Sequence, residues 1–126
     1  MPGRRGKGGG RRRRVMSFLQ PCLLVMLHRG EDHGYNLLNG LDEFGFNPRR
    51  NDPSLIYRAL REMEESCVVT SEWDPDSSLG PQRRVYRITQ EGRNYLARWI
   101  ADLRRTRLEI NGLIKAYEQI ETKNDE

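Results

Sequence analysis

The chain has 126 residues and a formal charge of +4, enough for one small domain with extensions and too little to bury a second core. That charge is unevenly placed: Arg4, Arg5, Lys7 and Arg11 to Arg14 put seven positive charges and no acid into residues 1–14, and the remaining 15 basic and 18 acidic residues leave the body at −3. A generally basic particle is therefore excluded, and any affinity for nucleic acid has to come from local clusters and from the arm.

Glycines and like charges in residues 1–14 cannot bury apolar surface, so this arm is predicted to be disordered when free. Two readings stay open for it: a solvated tail, or an arm whose Arg11, Arg12, Arg13 and Arg14 lie along phosphates or enter a minor groove. The apolar run Phe18 to Leu27 follows, and the arginines before it imitate an export leader. Pro21 before Cys22 is not the small residue that cleavage requires, no small-x-small site precedes Arg29 and Glu31, and the run is too short to span a bilayer. It is predicted instead as the first core helix, opened by a Ser17 and Gln20 capping box with Pro21 in its first turn. The chain is expected in the cytoplasm.

His33 to Phe44 is predicted as a second helix that buries Tyr35, Leu38 and Leu41, with Leu37 and Phe44 flanking, and the Gly45-Phe46-Asn47-Pro48 stretch ends it. Cys22 and Cys67 are expected as buried unpaired thiols and His28 and His33 as turn residues. Neither set has metal-ligand spacing, and no metal or cofactor is predicted.

A third helix follows. Asp52 is its N-cap, Pro53 sits where a fixed φ and a missing N–H do no harm, and Leu55, Ile56, Ala59, Leu60 and Met63 share one face. Ser54, Tyr57, Arg58 and Arg61 recur at i, i+3, i+4 and i+7 on the opposite face, a stripe suited to a major groove. Val68 to Trp73 and Arg83 to Thr89 read as strands around turn chemistry at Asp74 to Pro81. Tyr86 and Ile88 then point to one side and Val85 and Arg87 to the other, with Arg83 and Arg84 near the hairpin tip. The basic clusters are thus Arg49 and Arg50, Arg58 and Arg61, and Arg83, Arg84 and Arg87. Acid pairs such as Glu64 and Glu65 are expected as solvated helix surface. No catalytic constellation appears, so the chain is not expected to be an enzyme.

The words His33-Gly34-Tyr35, Ile56-Tyr57-Arg58-Ala59-Leu60, Met63-Glu64-Glu65, Ser71-Glu72-Trp73 and Gly80-Pro81-Gln82-Arg83-Arg84-Val85-Tyr86-Arg87-Ile88-Thr89, with Gly92, occur here in one order and spacing. Over roughly residues 17 to 105 the chain resembles the PadR family of bacterial transcriptional regulators. Leu55 and Arg58 depart from it where the family often has Ser or Thr and Pro, and Cys67 stands where it usually has Gly. Cys67 lies just past the third helix, where a left-handed residue is expected at a cost of about 1 kcal/mol for a non-glycine, unless the helix ends differently.

Beyond Thr89, a further N-cap, Leu96, Leu103, Ile110 and Tyr117 recur every seven residues, with Trp99, Thr106, Leu113 and Ile120 as a second seam. A homodimer through Leu96, Trp99, Leu103, Ile110 and Leu113 is predicted, as the resemblance also implies. Gly112 either kinks this helix or ends it, leaving Leu113, Ile114 and Tyr117 for a short extra helix.

The expected organisation is therefore mainly α with a small β wing. It comprises a basic arm (1–14), a winged helix-turn-helix domain (15–89) and a C-terminal dimerisation helix with tail (90–126). The expected function is a sequence-specific DNA-binding regulator, a dimeric repressor on a pseudo-palindromic operator of double-stranded DNA with half-sites roughly 34 Å apart. DNA contacts are assigned to Ser54, Tyr57, Arg58, Arg61, Arg83 and Arg84. The resemblance further implies a small planar aromatic effector between the dimer helices, for which Trp99 is the stacking candidate, with plain interface core as the alternative. The rival reading is a nonspecific nucleic-acid binder driven by the arm.

Overall fold

Leu19, Leu23, Leu24 and Leu27 fall on one side of a helix, and all four are buried. In the computed structural model, which describes residues 18–45, 52–76 and 83–124, that helix is α1 (Leu19–Arg29). Its N-cap is Phe18 and makes no side-chain cap bond. The expected capping box is thus not the described start; Ser17 lies outside the described residues, and Gln20 instead accepts a hydrogen bond from the Tyr95 hydroxyl at 2.7 Å. Pro21 sits in the first turn, where no intrahelical donor is lost.

Strand β1 (Asp32–His33) leads directly into α2 (Gly34–Gly40), which tightens into a 3-10 turn, Leu41–Phe44. The second helix is therefore shorter than the pattern predicts. His33 is extended backbone, and the last turn closes on Gly45, whose φ of 91° is the left-handed conformation glycine accepts without penalty. Its buried face also differs. Gly34, Leu37 and Leu41 recur at i, i+3 and i+7 and are buried, whereas Tyr35, expected as a core anchor, is 61% exposed and Leu38 half-buried. Tyr35 lies two residues from Leu37, about 200° around the helix, and faces away from the core.

Helix α3 (Pro53–Glu65) buries Ile56, Ala59, Leu60 and Met63. It ends as a Schellman motif: the Val68 N–H reaches the Met63 carbonyl at 2.9 Å and the Cys67 N–H reaches that of Glu64 at 3.0 Å. Cys67 takes the left-handed conformation with φ of 67°, as its position required. Its side chain is exposed, contrary to the expected buried thiol, because a C′ residue points its Cβ away from the helix it closes. Cys22 is half-buried, and burial pushes its thiol up to about 11.

Strands β2 (Val69–Trp73) and β3 (Arg84–Ile88) form the wing. β1 adds to the far edge of β3, giving an antiparallel sheet in the order β1-β3-β2, and this third strand had no signal in so short a sequence. The register pairs Ser71 with Tyr86 and Trp73 with Arg84. Tyr86 and Ile88 are buried, as alternation requires.

Thr89 then starts helix α4 (Gln90–Asn124): its hydroxyl oxygen accepts from the Gly92 N–H at 2.9 Å and donates to the Cys67 carbonyl at 2.7 Å. Gly92 packs directly on the β2 approach, where an added Cβ would collide with the Val68 carbonyl oxygen. The helix continues through Gly112, so the alternative of a separate short helix after it is not taken. The chain divides into two units, Met1–Leu96 and Ala97–Glu126. The first contains the core. In the second, Leu108, Ile110, Leu113, Ile114, Tyr117 and Ile120 are all exposed.

Candidate nucleic-acid interface

The outward face of α3 is set at its N-terminus. The Asp52 carboxylate accepts the Ser54 N–H at 3.0 Å, Pro53 occupies the first turn, and the helix phase that follows turns Ile56, Leu60 and Met63 inward. Ser54, Tyr57, Arg58 and Arg61 are consequently exposed on the other side. The arginines with carboxylate partners among the described residues are Arg29, Arg87 and Arg105, so Arg58 and Arg61 keep their guanidinium donors for another acceptor. The Tyr57 ring is held by the neighbouring helix: a Cβ on Gly34 would stand 2.5 Å from its Cε1 atom. Gly34 thus lets the start of α2 approach α3 closely enough to brace an outward aromatic side chain.

The wing presents two different faces. Ser71, Trp73, Arg84 and Tyr86 share the side that carries the core, and Thr70, Glu72, Val85 and Arg87 share the other. Arg84 is half-buried; its guanidinium lies over the Trp73 ring, 4.5 Å from the centroid, and its Nε–H donates to the Ser71 hydroxyl at 3.0 Å. That hydroxyl in turn donates to Glu64 Oε2 at 3.0 Å, so Glu64 is a bridge from α3 to the wing rather than solvated surface, while Glu65 is exposed as expected. Tyr86, beneath this cluster, has its hydroxyl pKa raised, first by burial and then by the Glu64 charge.

Arg87 is on the opposite face and its Nε–H donates to Glu31 at 2.6 Å and its terminal nitrogen to Glu72 at 2.8 Å. The expected Arg83, Arg84 and Arg87 cluster is therefore split, because the pleat sends Arg84 and Arg87 to different sides and Glu31 and Glu72 neutralise the latter. Arg83 is exposed at the start of the strand. Where β2 leaves the ladder for the connecting loop, His33 Nε2 pairs with Asp74 Oδ2 at 2.8 Å, tying β1 to the hairpin. The Asp74 carboxyl is held below its usual range, first by the Asp76 N–H and then by His33.

Arg11 to Arg14, Arg49, Arg50 and the hairpin tip with Gly80 to Gln82 lie outside the described residues. Leu96, expected at a dimer interface, is only 7% exposed within the single chain and belongs to the first unit's core, leaving little of it for a partner. Trp99 and Leu103 are half-buried, and Ile110 and Leu113 are exposed. Among the described residues no helix is long and apolar enough to cross a membrane, and no group of three or more His, Cys, Asp or Glu side chains is placed to hold a metal ion. Sequence reasoning missed the parts played by Ser71, Trp73 and Glu64. The signal was the i, i+2 spacing of Ser71 and Trp73, but assigning Arg84 to the same face needs a register that the long connecting loop conceals.

Residues 23–98, more than half of the chain, match the family described as "Transcriptional regulator PadR-like family". The chain is 28% identical over 116 residues to Transcriptional regulator YqjI of Escherichia coli (strain K12), covering 90% of this chain and 52% of that protein. It thus spans about half the length of the curated relatives it matches. Among solved structures, a conserved protein of unknown function described as a potential transcriptional factor superposes with a TM-score of 0.71 at 31% identity, over 92% of this chain and 97% of that one. A PadR-like transcriptional regulator from Bacillus cereus strain ATCC 14579 gives 0.70 at 26% identity, over 81% and 96%. Bacillus subtilis PadR, solved in complex with operator DNA, shares the fold with a TM-score of 0.58 at 23% identity, over 68% of this chain and 48% of that one.

Proposed function

Because the chain belongs to the PadR-like family of transcriptional regulators, we propose that it binds double-stranded DNA in a sequence-specific manner through the outward face of α3. The observation that carries this reading is the exposed Ser54, Tyr57, Arg58 and Arg61 stripe, whose two arginines have no carboxylate partner among the described residues. A planar guanidinium with free donors fits guanine edges or phosphate, and Ser54 and Tyr57 supply hydroxyls for phosphate beside it. Arg83 and Arg84 add a second contact from the wing. The Bacillus subtilis relative bound to operator DNA supports the same use of this fold.

The active species in this reading is a homodimer. The apolar stripe from Leu108 to Ile120 is too large to leave in water, and a second copy covers it most economically. Two α3 helices about a twofold axis then read a pseudo-palindrome. Bound dimer excludes polymerase and represses, and a planar ligand stacked at Trp99 releases it by favouring another spacing of the helices. A protein working on DNA in this way acts in the cytoplasm.

Fluorescence anisotropy with DNA from upstream of the chain's own gene, against a scrambled duplex at two salt concentrations, tests the reading. A preference for the upstream DNA that persists at the higher salt is the expected result. Equal, salt-labile binding to both duplexes favours nonspecific binding by the seven charges of residues 1–14 instead.

A further inference from the structure

Arg84 and Arg87 lie three residues apart on one strand and meet opposite electrostatic fates. Arg87 is neutralised by two carboxylates. Arg84 touches a hydroxyl and an indole, both uncharged. We propose that Glu64, Ser71 and Trp73 are positioning residues that hold Arg84 as the wing's phosphate-binding group and couple it to the recognition helix α3. The inference rests on the DNA-binding reading and extends it to residues that do not themselves touch DNA.

Each contact fixes one degree of freedom. A free arginine has four side-chain torsions to order before it can bind an anion, and that entropy opposes binding. The Trp73 ring lies directly across the ladder from Arg84 and sets the plane of the guanidinium. Ser71 sets its rotation within that plane by accepting the Nε–H. This leaves four N–H groups on the two terminal nitrogens, the edge that takes a phosphate with two parallel hydrogen bonds.

Ser71 can serve Arg84 only with its lone pairs, so its own proton has to point elsewhere. Glu64 Oε2 accepts that proton and orients the hydroxyl. Glu64 sits in the last turn of α3, the helix whose earlier turns carry Arg58 and Arg61. A shift of α3 therefore moves Ser71 and, through it, Arg84. Lysine could not replace Arg84, having neither a planar head to stack nor an Nε–H fork.

The test is anisotropy titration of the full chain on the upstream and scrambled duplexes over a salt series, with Arg61→Ala and Arg87→Gln as references. Arg84→Ala is expected to weaken binding by about tenfold at low salt and to reduce the salt slope by about one. Arg84→Lys should retain part of the slope and lose most of the affinity. Trp73→Leu, Ser71→Ala and Glu64→Gln should each weaken binding by about threefold alone and add nothing in an Arg84→Ala background, which distinguishes positioning from a separate structural or contact role. Trp73→Phe, which keeps a ring, should restore part of the loss and guards against a folding defect; Arg87→Gln should leave affinity unchanged. The proposal is overturned if the three losses persist in full without Arg84, or if Arg84→Ala changes nothing while Arg61→Ala still impairs binding. In that second case the DNA-binding reading survives alone. A wild-type chain that binds neither duplex overturns both.

Discussion

The two units treat their apolar residues in opposite ways. From Phe18 to Leu96, side chains such as Leu23, Leu24, Leu41 and Leu60 are completely hidden, while Leu113 in the second unit is 72% exposed and five other large apolar side chains beside it are uncovered as well. Both stretches carry helical periodicity. The first has other elements to close over it, and among the described residues the second is a stretch of one helix. A hydrophobic stripe therefore reports a demand for burial and leaves open where the burial comes from.

The largest effect is expected at Leu60. Leu60→Ala empties a fully buried site and should cost about 4 kcal/mol, read as a lower urea midpoint at unchanged slope. A loss under about 1 kcal/mol would mean that Leu60 is not closely packed in solution. In the second unit, Ile110→Glu with Leu113→Glu should leave the folded core intact by the same titration. It should also weaken self-association by at least about a hundredfold in sedimentation equilibrium, since each charge would be buried unpaired. A double variant that still sediments as a dimer would assign the interface elsewhere.

Two substitutions in the first unit have smaller effects. Asp52→Ala removes the cap of α3 and should cost about 1 kcal/mol, with a matching loss of DNA affinity at most. Asp74 contributes through pH. Because its folded pKa is depressed below the ordinary 3.8, its stabilisation is fully present above that value and is lost as pH falls through the depressed one. Acid titration of the wild type and Asp74→Asn should differ in slope only in that range. Parallel curves would show that the Asp76 and His33 contacts do not persist in solution.

Much of the first unit was legible because its signals are local. The N-caps at Asp52 and Thr89, the inward face of α3, the left-handed Cys67 and the alternation of Tyr86 and Ile88 each depend on residues a few positions apart. The failures share a different origin. Periodicity does not separate Tyr35 from Leu37 as the anchor, because α2 is only seven residues long, too short to distinguish adjacent stripes. β1 has two residues and exists by virtue of its partner.

The phase of α3, the caps at Asp52 and Thr89 and the set of side chains that α3 turns outward are fixed by residues a few positions apart, since rise, rotation and capping are properties of the local chain. What each arginine meets depends instead on contacts between elements far apart in the chain. Arg84 acquires an indole and a hydroxyl and Arg87 two carboxylates because β2 and β3 pair in one register and β1 brings Glu31 alongside. Charge is written in the residue, but its availability depends on neighbours distant in the chain. Loop closure and strand register choose those neighbours.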